Sequence, residues 1–374
     1  MKVSLFSSDL DQLFSIHISN IAQPNSRVVL NGHGGEVVDV PSYQAAVDVV
    51  LSHLPEDTLG DGLVIGHRIV HGGTQYNEPT QITDEVLDGL TNLIPLAPLH
   101  MQTAVELVRL LQDRFPEAMQ VACFDTAFYS QLPSVAKQLP LPRQYIDMGM
   151  RRYGFHGLSY QYLTEAFAKE AGDVAVNGRI IMAHLGSGAS VTAMKNGEVV
   201  DTSMSFSPAS GIPMSTRSGD LDPGIVSFLH EKTGMSIEDF NDMVNHQSGL
   251  LGVSGVSADM ERLLNQESSN PHITEAIDLF CYQIQKTIGS YYAVMGGLDS
   301  LIFSGGMGQN SSAIRARICK NLSHLGILIS EERNNQHGFL ISDDGSAVGV
   351  HMLPTNEMYI IAKQTKETIE QREG

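Results

Sequence analysis

Arg68, inside the apolar run Gly66-His67-Arg68-Ile69-Val70, is the first residue that invites a chemical reading. A guanidinium buried in such a strand needs an anionic partner, because an unpaired charge there costs several kcal/mol. That partner is either an internal carboxylate or an anionic ligand. Leu96-Ala97-Pro98-Leu99-His100 is a proline-bent apolar run ending in a histidine, which is either a hydrogen-bonded core residue or a catalyst. Asp125 follows a strand-like run at the carboxyl end, where functional groups gather in open α/β sheets. It can equally cap a following helix.

The densest polar stretch runs from Tyr153-Gly154-Phe155-His156-Gly157 through His184-Leu185-Gly186-Ser187-Gly188 to Thr216-Arg217-Ser218-Gly219. Gly186 and Gly188, placed after a strand, let backbone N–H groups approach a phosphate closely. A guanidinium in a loop like that of Arg217 can reach phosphoryl oxygens. Ser304-Gly305-Gly306-Met307-Gly308 carries a strand into a glycine-rich turn able to hold a nucleotide, although its spacing is not the dinucleotide or P-loop fingerprint. The chain has no G-x-x-x-x-G-K-[ST], which excludes a P-loop kinase.

The elements that must position these groups alternate in type. Short strands are expected at Val3–Phe6 and Phe14–Ile18, and a helix at Tyr43–His53. A strand at Gly62–Val70 precedes helices beginning at Thr83 and spanning Thr103–Phe115, and Gln120–Phe124 is again strand-like. Farther on, Arg179–Leu185 is an apolar strand, and Asn196-Gly197 marks a hairpin between Ala189–Met194 and Glu198–Ser203. A long apolar helix is expected over Ile273–Leu298, followed by a strand at Ser300–Ser304. This order predicts an α/β protein of two similar domains with a cleft between them.

Composition narrows the field. The chain has 374 residues, and 42 Asp and Glu against 23 Lys and Arg give a net charge of −19, which opposes nucleic acid and anionic membranes as partners. No run approaches the ~20 apolar residues of a transmembrane helix, and no secretory signal is evident. Three dispersed cysteines, Cys123, Cys281 and Cys319, make a disulfide framework or zinc knuckle improbable and suit a reducing cytoplasm.

Val70-His71-Gly72-Gly73, the 96–100 and 124–128 runs, Tyr153–Gly157, Asp201–Phe206, Thr216–Gly224 and Pro354-Thr355-Asn356-Glu357 occur together and in order. In this the chain resembles the acetate kinase family, short-chain carboxylate kinases of the actin, sugar-kinase and heat-shock-ATPase superfamily. The resemblance implies two actin-like (ribonuclease H-like) domains: residues 1–128 with 358–374, and a nucleotide-binding domain over 129–357. It also implies in-line transfer of a phosphoryl group between ATP and a short-chain carboxylate such as acetate, with Mg²⁺ (or Mn²⁺), in a cytoplasmic homodimer. Arg68 then matches the arginine that holds the substrate carboxylate, and Val70, Leu99, Phe155 and Pro208 match the wall around its alkyl group. Arg217 and His156 match the groups that stabilise the moving phosphoryl group, with His100 in support. Asp125 matches the family's catalytic aspartate. Because a carboxylate substrate is already ionised at neutral pH, we expect Asp125 to orient Arg68 or the metal's water shell rather than carry a proton. Lys2, the stretch His184, Leu185, Gly186, Ser187 and Gly188, the group Asp259, Met260 and Glu261, and the run Gly306, Met307, Gly308, Gln309 and Asn310 match nucleotide contacts. Glu357 matches an acidic group near the metal.

Three departures carry expectations of their own. The family opens with a strand ending in N-x-G-S-S-S, and Met1-Lys2 aligns with the two residues after it. An internal methionine as the recorded start is therefore expected, and the missing strand's two neighbours should show unpaired backbone. Ser187 stands where the family usually has asparagine. Asp259-Met260-Glu261 replaces Asp-x-Arg and places a negative charge towards the nucleotide. An active kinase, one with an altered phosphoryl donor, and a degenerate paralogue that binds without turnover all follow as readings.

Overall fold

The computed structural model describes residues 1–54 and 62–373. The chain forms two compact units, Met1–Ala127 with Asn356–Gly374, and Phe128–Thr355. Compared with the expected division, these bounds place Phe128 in the second unit and Asn356 and Glu357 in the first. Glu357 opens the C-terminal helix, Glu357–Glu373, which packs on strands of the first unit and carries its first turn with it.

The first unit holds two sheets. Strands β1 (Lys2–Phe6), β2 (Gln12–Ser19), β3 (Arg27–Leu30) and β4 (His33–Val37) form an antiparallel meander in that order. Ile16, Ile18 and Val28 face inward from it and meet Ala46 and Val50 of α1 (Tyr43–His53), whose N-terminus is capped by the Ser42 hydroxyl. The second sheet has the order β5-β7-β6, where β5 is Val64–Ile69, β6 Thr80–Gln81 and β7 Met119–Phe124, with β5 and β7 parallel. Helices α2 (Asp84–Asn92) and α3 (Pro98–Arg114) cover it through Leu87, Leu90, Met101, Val105 and Val108.

Among the described residues β1 pairs with β2 alone and β5 with β7 alone, so both are edge strands. The C-terminal helix lies over β5 and β7 and also touches β1. Its approach explains Gly66: a Cβ there would collide with Thr365 Oγ1 and Ile361 Cγ2.

The second unit is built on one five-stranded sheet, β10-β9-β8-β11-β12. Here β8 (Arg179–Leu185), β9 (Ala189–Lys195) and β10 (Glu198–Thr202) form an antiparallel meander, while β11 (Ser300–Ser304) and β12 (Gly349–Met352) run parallel to β8. Asn196 and Gly197 both have positive φ, at 56° and 78°, as a type I′ hairpin turn requires. Helix α4 (Gly157–Ala171) buries Tyr160, Leu163 and Phe167 against this sheet. Farther along lie α5 (Gly224–Thr233), α6 (Met260–Gln266), α7 (Pro271–Met295) and α8 (Gly305–Asn310).

Several boundaries correct the sequence reading. Helix α3 begins at Pro98 rather than Thr103, because proline's fixed φ suits a first helical turn and needs no N–H partner there. The run to His100 is therefore helical. Helix α7 stops at Met295, three residues short of Leu298, where Gly296 takes a left-handed conformation (φ 74°). The expected glycine-rich turn after β11 is helical from Gly305 onward.

Candidate active site

In the first unit the parallel pairing of β5 and β7 sets Arg68 opposite Cys123 and Ile69 opposite Phe124. One more ladder bond, from Asp125 N–H to the Ile69 carbonyl at 2.9 Å, holds Asp125 just past the strand end. Arg68 then donates from Nε to both Asp125 oxygens at 3.2 Å and from Nη2 to Oδ2 at 2.7 Å. Its Nη1 lies 3.4 Å from Glu357 Oε2. The reading of Arg68 as a buried arginine is corrected: its side chain is 37% exposed, and the buried partner is Asp125 at 1%. Burial by itself would lower the Arg68 pKa, but the charges of Asp125 and Glu357 and the Asp125 hydrogen bond outweigh it and raise it. The internal carboxylate is thus present, and the Arg68 side chain still keeps open surface.

His100 stands in the first turn of α3, partly exposed, with its backbone N–H on the Ala97 carbonyl. Val70 follows β5, and Leu99 belongs to the same helical turn as His100, its side chain lying outside the described residues. Lys2 is exposed at the start of β1.

In the second unit the turn Gly186–Gly188 joins β8 to β9, and its constriction is what gathers the chemistry. A Cβ built on Gly188 would lie 3.1 Å from His156 Nε2 and 3.4 Å from Arg217 Nη1. At Gly186 the same construction lies 3.7 Å from His184 Nε2 and 4.0 Å from the Gly306 amide. His156 caps α4 in a left-handed conformation (φ 61°), an uncommon one for a residue with a side chain, and its ring stacks on His184 with centroids 4.5 Å apart. Arg217 is steadied through Nη1 by the Pro208 carbonyl (3.2 Å) and Met214 Sδ (3.6 Å). The Ser215 N–H donates to the Ser187 carbonyl at 3.2 Å, tying the arginine's loop to the turn.

Ser187, Ser215, Thr216, Arg217, Ala258 and Asp259 line a cavity of about 420 Å³. Asp259 also caps α6 by accepting from the Arg262 N–H at 2.7 Å. Met260 points into the interior at 3% exposed, while Glu261 and Arg262 face solvent. Phe155 is likewise buried, at 1%.

Helix α8 presses on the same turn, with Gly305 packed against the Leu185 backbone. The carbonyls of Gly308 and Gln309 each accept from Arg315 Nη1 at 2.8 Å. Arg315 is fully buried and meets the Asn334 side chain and carbonyl with Nε and Nη2, the latter also reaching His337 Nδ1; burial lowers its pKa to about 10. Sequence reasoning missed Arg315, and it missed Ser159, Tyr160 and Ser190 behind the two histidines. Ser159 and Tyr160 sit three and four residues after His156, a helical spacing that the run His156-Gly157-Leu158 already contained.

An α/β chain whose paired strands end in an Arg–Asp pair met by a helix glutamate, and whose second-unit sheet feeds a glycine turn lined by histidine and arginine, has the parts of a phosphoryl-transfer enzyme. The sequence matches the Acetokinase family over residues 1–363. Acetate kinase of Desulforamulus reducens is 38% identical over 379 aligned residues, which cover 98% of this chain and 94% of that protein. The crystal structure of a propionate kinase from Francisella tularensis superposes with a TM-score of 0.92 at 34% identity, covering 98% of this chain and 96% of that one. That of Porphyromonas gingivalis acetate kinase gives 0.88 at 35%, with the same coverage. The chain belongs to the acetokinase family. Its fold is the actin-like α/β fold, and it is a phosphotransferase of the acetate kinase type.

Proposed function

We propose that the chain transfers the γ-phosphoryl group of ATP to acetate or another short-chain carboxylate, giving an acyl phosphate, and that it runs the reverse reaction as well. The observation that carries the reading is the convergence of His156 Nε2 and Arg217 Nη1 on the Gly188 backbone. Those two groups take the equatorial oxygens of the moving phosphoryl group, where charge spreads in a loose in-line transition state. The 184–188 turn, Asp259 and the 306–310 segment hold the nucleotide. Arg68 takes the substrate carboxylate on its open face, Asp125 orients it, and Val70, Leu99, Phe155 and Pro208 bound the alkyl group, with His100 in support.

Mg²⁺ fits the first unit's charges. Asp125 and Glu357 both lie against Arg68, so a substrate carboxylate brought there adds a third negative charge that a cation would offset. Among the described residues no cluster of three or more His, Cys, Asp or Glu side chains could hold a metal unaided. Glu357 and Asp125, directly or through water, would hold the ion together with nucleotide oxygens, the usual mode for Mg²⁺. Bound there, it would neutralise charge on the phosphates.

The test is acyl phosphate formation from ATP with acetate, propionate and butyrate, and ATP formation from ADP and acetyl phosphate. Absence of both with every carboxylate sinks the reading and leaves binding without turnover. The preference among carboxylates should be shallow, since one methylene in an apolar pocket is worth only ~1–3 kcal/mol. Glu261, an acid in the first turn of the helix that Asp259 caps, supports a second reading in which the donor is a less highly charged phosphate than ATP. Comparing ATP with pyrophosphate and nucleoside diphosphates as donors separates the two.

A homodimer is supported by large apolar side chains left exposed on the second unit, such as Phe228 on α5 and Tyr282 on α7, at 59% and 57%. Light scattering tests it. Three free, buried cysteines suit a reducing cytoplasm, and no described helix is long and apolar enough to cross a membrane.

A further inference from the structure

The two stacked histidines of the second unit share a construction. His156 Nδ1 is 2.8 Å from Ser190 Oγ, and His184 Nδ1 is 2.8 Å from Ser159 Oγ. Each ring is thus held at Nδ1 by a serine hydroxyl, and both Nε2 atoms fall beside the Gly186–Gly188 backbone. Behind His156 the chain of hydrogen bonds continues. Tyr160 Oη lies 2.8 Å from the Ser190 carbonyl and 2.7 Å from Ser190 Oγ, and both residues are fully buried.

The carbonyl acceptor sets the direction of this relay, whose Tyr160 hydroxyl also meets Thr192 and the His184 backbone. A carbonyl oxygen can only accept, so the Tyr160 hydroxyl donates to the Ser190 carbonyl. Its oxygen must then accept in the contact with Ser190 Oγ, which uses the single serine proton. Ser190 Oγ is left as an acceptor, and the proton in its contact with His156 comes from the imidazole Nδ1. The neutral ring therefore carries its hydrogen on Nδ1, and any second proton arrives at Nε2, the nitrogen beside Gly188 and Arg217.

We propose that Ser190 and Tyr160 are positioning residues that hold His156 with Nδ1 protonated, so that the ring meets an anionic phosphoryl group as an imidazolium donating from Nε2. The proposal rests on the reading of His156 as a phosphoryl-binding group and adds the charge state and the residues that set it. A serine acceptor at Nδ1 favours the cation, because a hydrogen bond to the charged donor is stronger than one to the neutral ring. Tyr160 can serve as a neutral anchor throughout, since burial pushes its hydroxyl up to about 12. The titratable and charged groups facing His156 include Tyr160 from α4, His184 from β8 and Arg217 from its loop. The His184 ring and the Arg217 guanidinium disfavour a further cation while no phosphate is bound. An arriving phosphate reverses that, so the proton enters with the anion.

The test reads the histidine directly. Imidazole ¹⁵N and ¹³C chemical shifts, assigned with a His156→Gln variant, report tautomer and pKa for the parent, Ser190→Ala and Tyr160→Phe. The parent should show His156 protonated at Nδ1 when neutral, with its pKa raised when inorganic phosphate and ADP are added. Ser190→Ala should lower that pKa by about 1 unit or more, the size of one lost hydrogen bond to a charged group. Tyr160→Phe frees the serine proton to turn towards Nδ1 and should shift the tautomer the same way without touching His156. In turnover assays the alkaline limb of kcat should move to lower pH by the same amount, with the carboxylate KM unchanged. Unaltered tautomer and pKa in both variants overturn the proposal. Altered shifts with an unmoved kcat profile uphold the relay and remove His156 from the chemistry instead.

Discussion

Arg68 Nη2 and Asp125 Oδ2 lie 2.7 Å apart across the ends of two parallel strands, one residue 37% open and its partner 1%. The pair is therefore asymmetric: Asp125 is spent inside the protein, whereas Arg68 keeps surface for a ligand. Replacing Arg68 by alanine should raise the carboxylate KM by roughly 10–100-fold, the worth of a charge-assisted hydrogen bond, and change kcat far less. Asp125→Asn should leave the arginine in place with weaker orientation, giving a smaller rise in KM. Equal losses of kcat in both variants, with KM unmoved, would remove Arg68 from substrate binding.

Arg217 tests geometry apart from charge. Lysine keeps the charge but loses the planar fork that can hold two equatorial oxygens at once. Both Arg217→Lys and Arg217→Ala should cut kcat by roughly 10²–10⁴-fold, with the carboxylate KM moving much less. Steady-state kinetics over both substrates checks this. Near-parental turnover in Arg217→Ala hands the role to His156.

Gly188→Ala places a methyl group against His156 Nε2 and Arg217 Nη1 at once, at 3.1 and 3.4 Å. The first distance is tight enough that His156 must give way by a few tenths of an ångström, while Arg217 stands at the edge of ordinary contact. The expected result is a fall in kcat of roughly 10-fold or more at little cost in melting temperature, since a misplaced catalytic group is punished steeply. A large drop in melting temperature with intact kcat would mean that the turn is merely structural.

Most elements were legible in the sequence because their signals are local. The Tyr43–His53 helix has its cap and apolar stripe, and Asn196-Gly197 has the positive φ values that only such a turn demands. Helix boundaries went astray where one residue redirected the chain, as at Pro98 and Gly296. The glycines and charged groups of the site stood out by type, but what holds them did not. Ser190 lies in an ordinary strand pattern, and Tyr160 and Arg315 read as one more aromatic and one more surface cation. Their roles exist only because β9 pairs with β8 and because Arg315 folds back on Gly308 and Gln309. The Tyr160–Ser190 and Arg315–Asn334 contacts join residues 30 and 19 positions apart, and no periodicity encodes them.

Glu261 can be tested from its position alone. It is exposed in the first turn of α6, next to Asp259, which lines the serine- and arginine-walled cavity. If its charge repels the donor's phosphates, Glu261→Arg should tighten ATP binding several-fold, with a smaller effect at high salt. The carboxylate KM should stay nearly constant. Isothermal titration at two ionic strengths checks both statements, and an unchanged ATP affinity shows that Glu261 points away from the donor.

Stability should fall in mild acid, and two histidines give the window. Burial lowers the pKa of His67 to about 4, against the opposing effect of its 2.7 Å hydrogen bond to Gln120, and burial alone takes His351 to about 4. His351 is packed between Phe167, met edge-on, and Phe339, met at a tilt, with ring centroids at 5.0 and 4.8 Å. An unfolded chain binds these protons near the ordinary histidine pKa of about 6.5. Between about 6.5 and 4 it therefore holds more protons than the native state, and by linkage stability declines as pH falls across that interval. The stabilising contribution is complete above the unfolded value and is lost by about pH 4. Each unit of depression corresponds to at most about 1.4 kcal/mol per group, so several degrees of melting temperature are at stake. Because His67 lies in the first unit and His351 in the second, the two contributions can be separated. Thermal melts at pH 7.5, 6 and 5 should show a shallower decline for His351→Leu than for the parent, and likewise for His67→Leu. If both variants keep the parental slope, the acid sensitivity arises from carboxylates instead, and these two histidines are not what sets it.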